Sequence, residues 1–397
     1  MKDIIKRFEN KKVLIWGYGM EGKAAESFLG KYCRCASVEI YEGDRTKLPE
    51  ADFDFIIKSP GVPYIYTDEP KFTSLTELFL EAFGENTIGI TGTKGKSTTT
   101  SMIYKALSES LDSEVCLLGN IGIPCMDAYE QMKNGAIAVF EMSCHQLANN
   151  QVSPHIAVFL NLYEDHLDYY KTREKYFDAK AHITRFQNEN DYYYHGEDVP
   201  VISTKAKCVT VPSFDENKYD LKIPGQHNQW NAHVAYRIAT ELFGADQTKV
   251  KKALEGFEGL PHRLEKFDVI NGVTYFDDSI STIPEATINA ILSVPDVKTV
   301  IVGGMDRGID YTPLEEKIKE REDITFILCY ASGKRILEEL DEKTRNVIYK
   351  DDLASAAKEA KKITAAGSVI MSPAAASYGY FKNFMERGKF FKECIRL

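Results

Sequence analysis

The sequence predicts an α/β protein made of three consecutive α/β domains, and three observations support this prediction. Short apolar runs, typical of buried parallel strands, alternate with segments of helical apolar spacing. This alternation starts afresh after residue 85, and a linker containing glycine and proline at 256–261 precedes a third series of strands. We therefore place the domains at residues 1–85, 86–260 and 261–397.

The composition is typical of a soluble globular protein. With 397 residues, 44% of them hydrophobic, the chain can form two or three separate cores. Charges within residues 1–7 argue against a signal peptide, and no apolar run approaches the roughly 18 residues of a membrane span. The eight cysteines show neither a zinc spacing nor a disulfide framework. We expect a cytoplasmic protein without a membrane partner.

The net charge of −10 argues against a nucleic-acid partner, because such surfaces are usually basic. Bound phosphates must therefore be held by local loops and cations.

The first predicted strand, 12–16, leads into a complete GxGxxG motif formed by Gly17, Gly19 and Gly22. A second strand at 38–41 ends at Glu42, about 20 residues past the last glycine, where a ribose or base partner often lies. This pattern is typical of Rossmann-like domains and, taken alone, indicates an oxidoreductase that uses a nicotinamide or flavin nucleotide. A tight turn without a ligand is the alternative.

A third strand at 53–57 precedes the loop that contains Ser59, Pro60 and Gly61. Ligands of parallel sheets collect at the carboxyl ends of strands. This loop therefore belongs to the predicted ligand-binding edge of the first domain.

A phosphate-binding loop is predicted between the strand starting at Thr87 and a helix. Such a loop points backbone N–H groups and the positive end of a helix at one anion. Lys96 would neutralise phosphates and the Ser97 hydroxyl would bind their Mg²⁺. Two residues separate the glycines, where the general P-loop has four, so the motif is the narrower GTxGK[ST]; the alternative is a turn with a solvated lysine. The loop comprises Gly92, Thr93, Lys94, Gly95, Lys96, Ser97 and Thr98.

Acidic and polar residues end the next two buried strands. Glu141 follows the run 136–140, where a carboxylate near a phosphate loop is well placed to bind Mg²⁺. An acid at a helix start is the alternative. The run 156–160 is followed by a cluster that suggests ligand or metal contact. Its members are Asn161, Glu164, Asp165, His166 and Asp168.

Two helical segments carry further candidates. Spacing alone makes Lys180 a solvated lysine on a helix. Asn228 and Asn231 lie three residues apart, on one helix face, where their amides could recognise a purine edge. Helix capping explains Asn228 equally well.

The third domain has likewise polar or small residues after its strands. We predict strands at 273–276, 299–302, 324–328 and 368–371. The residues after them include Asp278 and Arg307.

The combination of motifs resembles the Mur ligases, the ATP-dependent enzymes that add amino acids to peptidoglycan precursors. The resemblance covers nearly the whole chain, whereas the phosphate loop alone is shared with folylpolyglutamate ligases. The motifs are GITGTKGKST (89–98), GNIG (119–122), EMSCHQL (141–147), NLYEDHLD (161–168), AK (179–180), PGQHNQWN (224–231), HR (262–263), DDS (277–279) and SPAAASYGYFKNFMERG (372–388).

The resemblance implies a ligase that adds D-glutamate to UDP-N-acetylmuramoyl-L-alanine through an acyl phosphate. It implies a Rossmann-like UDP-binding domain, a central P-loop ATPase-like domain and a Rossmann-like C-terminal domain. It also implies ATP, two Mg²⁺ ions and a carbamylated Lys180. The expected partners are these small molecules, and the expected state is a monomer.

The residues implied by the resemblance fall into four groups. Catalysis is assigned to Lys96, Glu141, His166 and Lys180. Metal binding is assigned to Ser97, Glu141, His166 and Lys180. ATP binding adds Asn228, Asn231, Arg263 and Asp278 to the phosphate loop. Substrate binding is assigned to Gly17, Gly19, Gly22, Glu42, Ser59, Gly61, Asn120, His166, Thr282, Arg307, Ser377 and Phe384.

Two positions depart from the family pattern. Ile280 stands where a lysine often follows the DS pair, and Arg307 stands where a lysine commonly contacts glutamate. A ligase of the same family that adds L-glutamate or another amino acid is therefore an alternative. A non-catalytic nucleotide-binding scaffold is another, although Lys96, Glu141 and His166 are all present.

Overall fold

Three mainly parallel sheets flanked by helices make up the chain in a computed structural model, which confirms the predicted α/β class. The structure describes residues 4–65, 69–214, 216, 218–223, 225–341 and 344–397, without the side chains of Leu167 and Asp168. The chain divides into two compact units. Unit 1 is Met1–Leu221 with Gln226–Gly256, and unit 2 is Lys222–Gly225 with Phe257–Leu397.

Unit 1 begins with a four-stranded parallel sheet in the order β2-β1-β3-β4. Its inner strand β1 is buried from Val13 to Trp16 because Val13 and Ile15 pack in one core and Leu14 and Trp16 in another, which explains its continuous apolar sequence. The elements are β1 Lys12–Trp16, β2 Ser37–Tyr41, β3 Phe55–Lys58, β4 Phe72–Thr73, α1 Met20–Tyr32 and α2 Leu75–Phe83, with 3₁₀ turns Lys6–Phe8, Arg45–Lys47, Glu50–Asp52 and Gly84–Asn86.

The second sheet of unit 1 has six parallel strands in the order β10-β9-β8-β5-β7-β6. The strands are β5 Thr87–Thr91, β6 Val115–Gly119, β7 Ile137–Glu141, β8 Ile156–Phe159, β9 Tyr192–Gly196 and β10 Lys207–Val211. The helices are α3 Lys96–Ser110, α4 Tyr129–Lys133, α5 Cys144–Leu147, α6 Leu167–Tyr170, α7 Arg173–Arg185, α8 Gln226–Arg237 and α9 Gln247–Glu255, with the 3₁₀ turn Cys125–Ala128 and the π-helical turn Ile238–Leu242.

The fully buried strand β5 lies between β8 and β7, so the loops after these three strands meet at one edge. One hydrophobic core contains residues from both sheets, including Phe28 of α1 and Tyr129 of α4. Their rings pack edge to face with centroids 5.2 Å apart. The predicted boundary at residue 85 therefore falls inside one compact unit, and the boundaries at 85 and 260 stay predictions.

Unit 2 contains a six-stranded sheet in the order β11-β12-β16-β13-β14-β15, in which only β11 is antiparallel. The strands are β11 Glu265–Ile270, β12 Val273–Asp277, β13 Val297–Gly303, β14 Thr325–Cys329, β15 Val347–Lys350 and β16 Gly367–Met371. The helices are α10 Pro284–Ser293, α11 Thr312–Glu320, α12 Tyr330–Glu339, α13 Leu353–Ile363 and α14 Phe384–Arg396.

The four strands predicted in the third domain are confirmed as β12, β13, β14 and β16, whereas the flanking strands β11 and β15 were not predicted. Both are sheet edges. Because an edge strand is half solvated, β11 can carry charges such as Glu265 and Lys266, and it lacks a continuous apolar run. β15 has an apolar run of only three residues, 347–349, all of them partly exposed. Within the described part of the chain, no helix is both long and apolar enough to span a bilayer.

Phe140→Ala should lower the free energy of unfolding of unit 1 by about 3–5 kcal/mol, because it opens a cavity in a closed core. Phe140 is fully buried and packs edge to face on Phe79, with ring centroids 5.6 Å apart. Both tryptophans, Trp16 and Trp230, belong to unit 1, so their fluorescence during urea unfolding reports on this unit.

Phe186→Ala is the matched control, since this ring is 43% exposed in the same unit. Its effect should stay within about 0.5 kcal/mol. Equal losses for the two variants would contradict the described core.

Candidate functional site

The phosphate loop connects β5 to α3, as predicted. Gly92 and Gly95 have positive φ values of 155° and 82°, which explains why glycine stands at both turns. Lys96, Ser97 and Thr98 form the first turn of α3, and no side chain caps this helix. Its N-terminal backbone N–H groups therefore face the loop, as an anion site requires. Lys96 Nζ donates to the Thr93 carbonyl at 3.0 Å.

Asn161, at the end of β8, holds the phosphate loop in shape. Its Oδ1 accepts from the backbone N–H of Thr93 at 3.2 Å and of Lys94 at 2.9 Å, and its Nδ2 donates to the Lys94 carbonyl at 3.0 Å. The sequence placed Asn161 in a ligand cluster, but its side chain is engaged with the loop. Asn161 is thus a positioning residue.

Lys180 of α7 is only 1% exposed, so the prediction of a solvated lysine from spacing alone is wrong. Its Nζ donates to the Gly92 carbonyl at 2.8 Å and lies 4.7 Å from the centroid of the Tyr176 ring. Burial, followed by the charge of Lys96, lowers the pKa of Lys180 to about 7. A substantial fraction of its amine is therefore neutral near pH 7.

Glu141 ends β7 and is completely buried, so it is not an acid at a helix start. Its Oε1 accepts from Asn120 Nδ2 at 3.1 Å, which brings together two predicted site residues. Its Oε2 is buried and has no hydrogen-bond partner among the described residues. A buried carboxylate oxygen left open is costly unless a cation or donor completes it.

His166 follows the same strand as Asn161 but is exposed, with a positive φ of 53°. Its backbone N–H donates to Asp165 Oδ1 at 3.0 Å. Its ring lies 6.0 Å from that of Tyr176, the residue whose ring also contacts Lys180 Nζ. The side chain of Asp168, part of the predicted cluster, lies outside the described residues.

Asn228 and Asn231 are buried in α8, where Asn231 Nδ2 donates to Asn228 Oδ1 at 3.3 Å. A Cβ on Gly95 would lie 3.0 Å from Asn231 Oδ1, so this amide lies against the phosphate loop. Asn228 is the third residue of the helix, which rules out the simple N-cap interpretation. Pro224, in the same motif, lies outside the described residues.

The first glycine motif forms a tight junction with the loop after β3. A Cβ on Gly22 would lie 2.2 Å from the Gly17 carbonyl oxygen, so α1 can start only with glycine there. Ser59 Oγ donates to the same Gly17 carbonyl at 2.6 Å. Gly19 precedes α1 without a side-chain cap, and a Cβ there would meet open space.

A cavity of about 620 Å³ opens beside this junction. Gly17, Glu42 and Gly61 line it, as predicted for a substrate-binding edge. The sequence interpretation missed Asp44, Arg45 and Thr46, which line it from the 3₁₀ turn after β2. The sequence signal that could have identified them is an acid, a cation and a hydroxyl directly after the end of a strand, where ligands of parallel sheets collect.

A buried carboxylate, also missed, connects the first glycine motif to α5. Glu21 Oε1 accepts from Gln146 Nε2 at 2.7 Å, and burial raises the pKa of Glu21 to about 7. Gln146 also closes the capping box of Ser143. Glu21 therefore ties the first sheet's ligand edge to the segment after Glu141.

In unit 2, Asp278 is buried after β12 and serves as an anchor. Its oxygens accept from Ser281 Oγ at 2.6 Å, Ser372 Oγ at 2.7 Å and the Leu264 N–H at 3.0 Å. Burial raises the pKa of Asp278 to about 6. Arg263 is exposed on the neighbouring turn. The assignment of Asp278 and Arg263 to ATP binding stays a prediction.

Four of the residues assigned to substrate binding, namely Thr282, Arg307, Ser377 and Phe384, lie around the strand ends of the same sheet. Arg307 Nη2 donates to the Thr282 carbonyl at 3.1 Å. Ser377 is buried beside Ala376, whose carbonyl accepts from the Met305 N–H at 2.9 Å. Phe384 is the first residue of α14, and its carbonyl accepts from Ser279 Oγ at 2.8 Å.

The buried cation Arg387, missed at the sequence level, holds this region together. It donates to the carbonyls of Ser279 at 2.7 Å and Ala375 at 3.0 Å. Burial lowers the pKa of Arg387 to about 10, which still leaves it charged at neutral pH. An arginine inside an amphipathic helix gives no sequence signal of burial.

The edge of the second sheet can therefore hold a polyphosphate and its cation. The candidate ligands are hard or borderline donors, which fit Mg²⁺. They are the Glu141 oxygen that has no partner among the described residues, the hydroxyl of Ser97 and the exposed imidazole of His166. Lys96 adds a positive charge beside the helix N-terminus.

Comparisons with known proteins agree with this geometry. Residues 90–208 match the family described as Mur ligase middle domain. The chain is 31% identical to the UDP-N-acetylmuramoylalanine–D-glutamate ligase of Oenococcus oeni, covering 98% of each chain. It is 32% identical to the UDP-N-acetylmuramoyl-L-alanine–L-glutamate ligase of Salinispora tropica, covering 97% of each. It also resembles the MurF ligase structure from Thermotoga maritima in complex with ADP, with a TM-score of 0.58, 18% identity and coverage of 100% and 98%.

Relative to the native protein, Lys180→Met should be most stable at low pH, where the gain from removing a buried ammonium is greatest, while the lost hydrogen bond to Gly92 opposes that gain. The folded pKa of about 7 lies below the ordinary 10.5, so unfolding takes up a proton between these values. The free-energy cost of burying the ammonium is therefore at its maximum below pH 7, and it falls to zero as the pH rises towards 10.5. The gain from Lys180→Met, measured by urea unfolding, should shrink between pH 7 and 9 by at most about 1.4 kcal/mol per pH unit.

Lys175→Met, on the exposed side of the same helix, is the control and should show no such pH dependence. A pH-independent gain for Lys180→Met would contradict the lowered pKa.

Proposed function

The chain belongs to the Mur ligase family, and we propose that it is an ATP-dependent ligase that adds D-glutamate to UDP-N-acetylmuramoyl-L-alanine in peptidoglycan precursor synthesis. The observation that carries this proposal is the group of charges around the phosphate loop. Lys180 and Lys96 both donate to carbonyls of this loop, and the charges of Lys96 and Glu141, whose Oε2 is open among the described residues, both act on Lys180.

The reaction is the activation of a carboxylate. The terminal carboxylate of the nucleotide-sugar attacks the γ-phosphorus of ATP, which releases ADP and forms an acyl phosphate. The amine of glutamate then attacks the acyl carbon, the amide bond forms, and inorganic phosphate leaves. A proton departs from the amine.

The first step brings two anions together, which at about 4 Å costs on the order of 4 kcal/mol at an effective dielectric of 20. Lys96 and the N-terminus of α3 offset this repulsion because both present positive charge to the phosphates. Asn161 fixes the loop beforehand, so little reorganisation is needed when ATP binds.

Mg²⁺ fits the same edge, where Ser97, Glu141 and His166 would hold it and where it would neutralise phosphate charge. The hydrogen bond from Asn120 to Glu141 Oε1 fixes the orientation of the carboxylate, so Oε2 is held in position to bind the ion. Asn120 and His166 are also our candidates for contacts to the muramoyl-alanine end.

The burial and lowered pKa of Lys180 support its carbamylation. Only a neutral amine can attack CO₂, and an amine with a pKa of about 7 is partly neutral at cellular pH. The resulting carbamate would replace a buried cation with a carboxylate-like ligand suited to a second Mg²⁺.

The cavity beside Gly17 is our candidate UDP site. Backbone groups near Gly17, Gly19 and Gly22 would approach the diphosphate closely, and Arg45 would add a cation. The adenine of ATP is assigned to Asn228 and Asn231, beside the phosphate loop.

Glutamate is assigned to the strand ends of unit 2, where Arg307 supplies a cation able to bind a carboxylate in two places. L-glutamate is the second candidate, because a relative of similar identity is named for that enantiomer and because Arg307 differs from the usual lysine. The monomeric state stays a prediction.

Phosphate release from ATP and Mg²⁺ should depend on both the nucleotide-sugar and D-glutamate. The product should be heavier by one glutamyl unit, as measured by mass spectrometry. Stronger turnover with L-glutamate would replace D-glutamate in the proposal. Tight binding of a nicotinamide nucleotide without ATP hydrolysis would favour an oxidoreductase, and ATP binding without any turnover would favour a scaffold.

Lys180→Ala should lose ligase activity and regain part of it when a short carboxylate such as acetate is added, because the added anion replaces the carbamate. Lys175→Ala, on the same helix, should retain activity with or without acetate. Full activity of Lys180→Ala would contradict the role assigned to this lysine.

A further inference from the structure

A thiol and two imidazoles converge beside the proposed Mg²⁺ edge. Cys144 starts α5 and is 2% exposed, His145 follows it, and His166 comes from the loop after β8. One ligand atom from each of the three residues lies within 4.8 Å of the other two. They belong to two separate segments, so local sequence spacing does not reveal the group.

The donors of this group favour a soft or borderline cation. A thiolate and imidazole nitrogens are typical ligands of Zn²⁺, whereas Mg²⁺ prefers oxygen. Three protein ligands also leave one tetrahedral position for water or substrate. With Zn–S of about 2.3 Å and Zn–N of about 2.0 Å, bound ligand atoms lie roughly 3.5 Å apart. The three ligand atoms must therefore approach one another by up to about 1 Å when an ion binds.

Tyr170 contacts one of the three residues and fixes the orientation of its ring. Tyr170 OH lies 3.2 Å from His145 Nδ1, and the two rings stack with an angle of 13°. Such contacts orient an imidazole for metal binding. In the other group of this kind among the described residues, formed by His262, Glu265 and Asp277, Lys392 Nζ already binds the carboxylates at 2.5 and 3.4 Å.

We propose that Cys144, His145 and His166 form a binding site for Zn²⁺ or a similar thiophilic divalent ion. Binding displaces the thiol proton and uses the neutral imidazoles as ligands. Because His166 is also a proposed Mg²⁺ ligand, the bound ion would inhibit the ligase; this consequence rests on the proposed function, whereas binding itself does not.

The test is titration of the full-length protein with Co²⁺, a spectroscopic substitute for Zn²⁺, without nucleotide or substrate. One equivalent should produce a thiolate-to-cobalt charge-transfer band, and added Zn²⁺ should remove it. Cys144→Ser should abolish the band, and His145→Phe, which keeps the ring stacking, should weaken or remove it. Tyr170→Phe should weaken Zn²⁺ binding by about 10- to 100-fold.

Cys208→Ser is the matched control, since this exposed cysteine lies in the same unit. It should leave the band unchanged. Tryptophan fluorescence in urea identifies variants that fold, and His145→Phe tests the site independently if Cys144→Ser is unstable. Absence of the band, its persistence in Cys144→Ser, or its loss in Cys208→Ser would overturn the proposal, whatever the ligase assay shows.

Discussion

The hydrogen bond from the buried Lys180 ammonium to the Gly92 carbonyl is the interaction on which the phosphate loop depends. A loop whose backbone N–H groups face an anion must leave its carbonyls pointing the other way, into the protein. Lys180 and Asn161 satisfy those inward groups from two different elements. The cost of burying a cation is thereby offset by a loop that is ready to bind phosphate.

The same residue shows what sequence patterns can reveal. Helical spacing describes which side of α7 is apolar, but it does not show that Lys180 points into a tightly packed phosphate loop. The resemblance to the Mur ligases assigned Lys180 to the site because it rests on the order of several motifs along the chain and not on the spacing within one helix. Glu141 was easier to predict as a site residue, because parallel-sheet geometry places a carboxylate that ends an apolar strand at the ligand-binding edge.

Residues that position other segments through long-range hydrogen bonds were the hardest to predict. Asn161, Glu21 and Arg387 hold loops and helix starts, and each depends on partners more than sixty positions away in the chain. Periodicity reports only local environment. The central strands of each sheet were predictable for the opposite reason, because burial on both faces leaves a continuous apolar run, whereas the edge strand β11 does not have one.

The position of β16 in unit 2 has a consequence for how the chain reaches its folded state. This strand lies between β12 and β13, so neither of these can complete its pairing until residues 367–371 have been synthesised. During synthesis the two strands expose open edges of apolar sequence, which are prone to pair with other chains. The nascent polypeptide therefore carries unpaired strands of this sheet until late in translation, and a chaperone that covers them during that interval would limit aggregation.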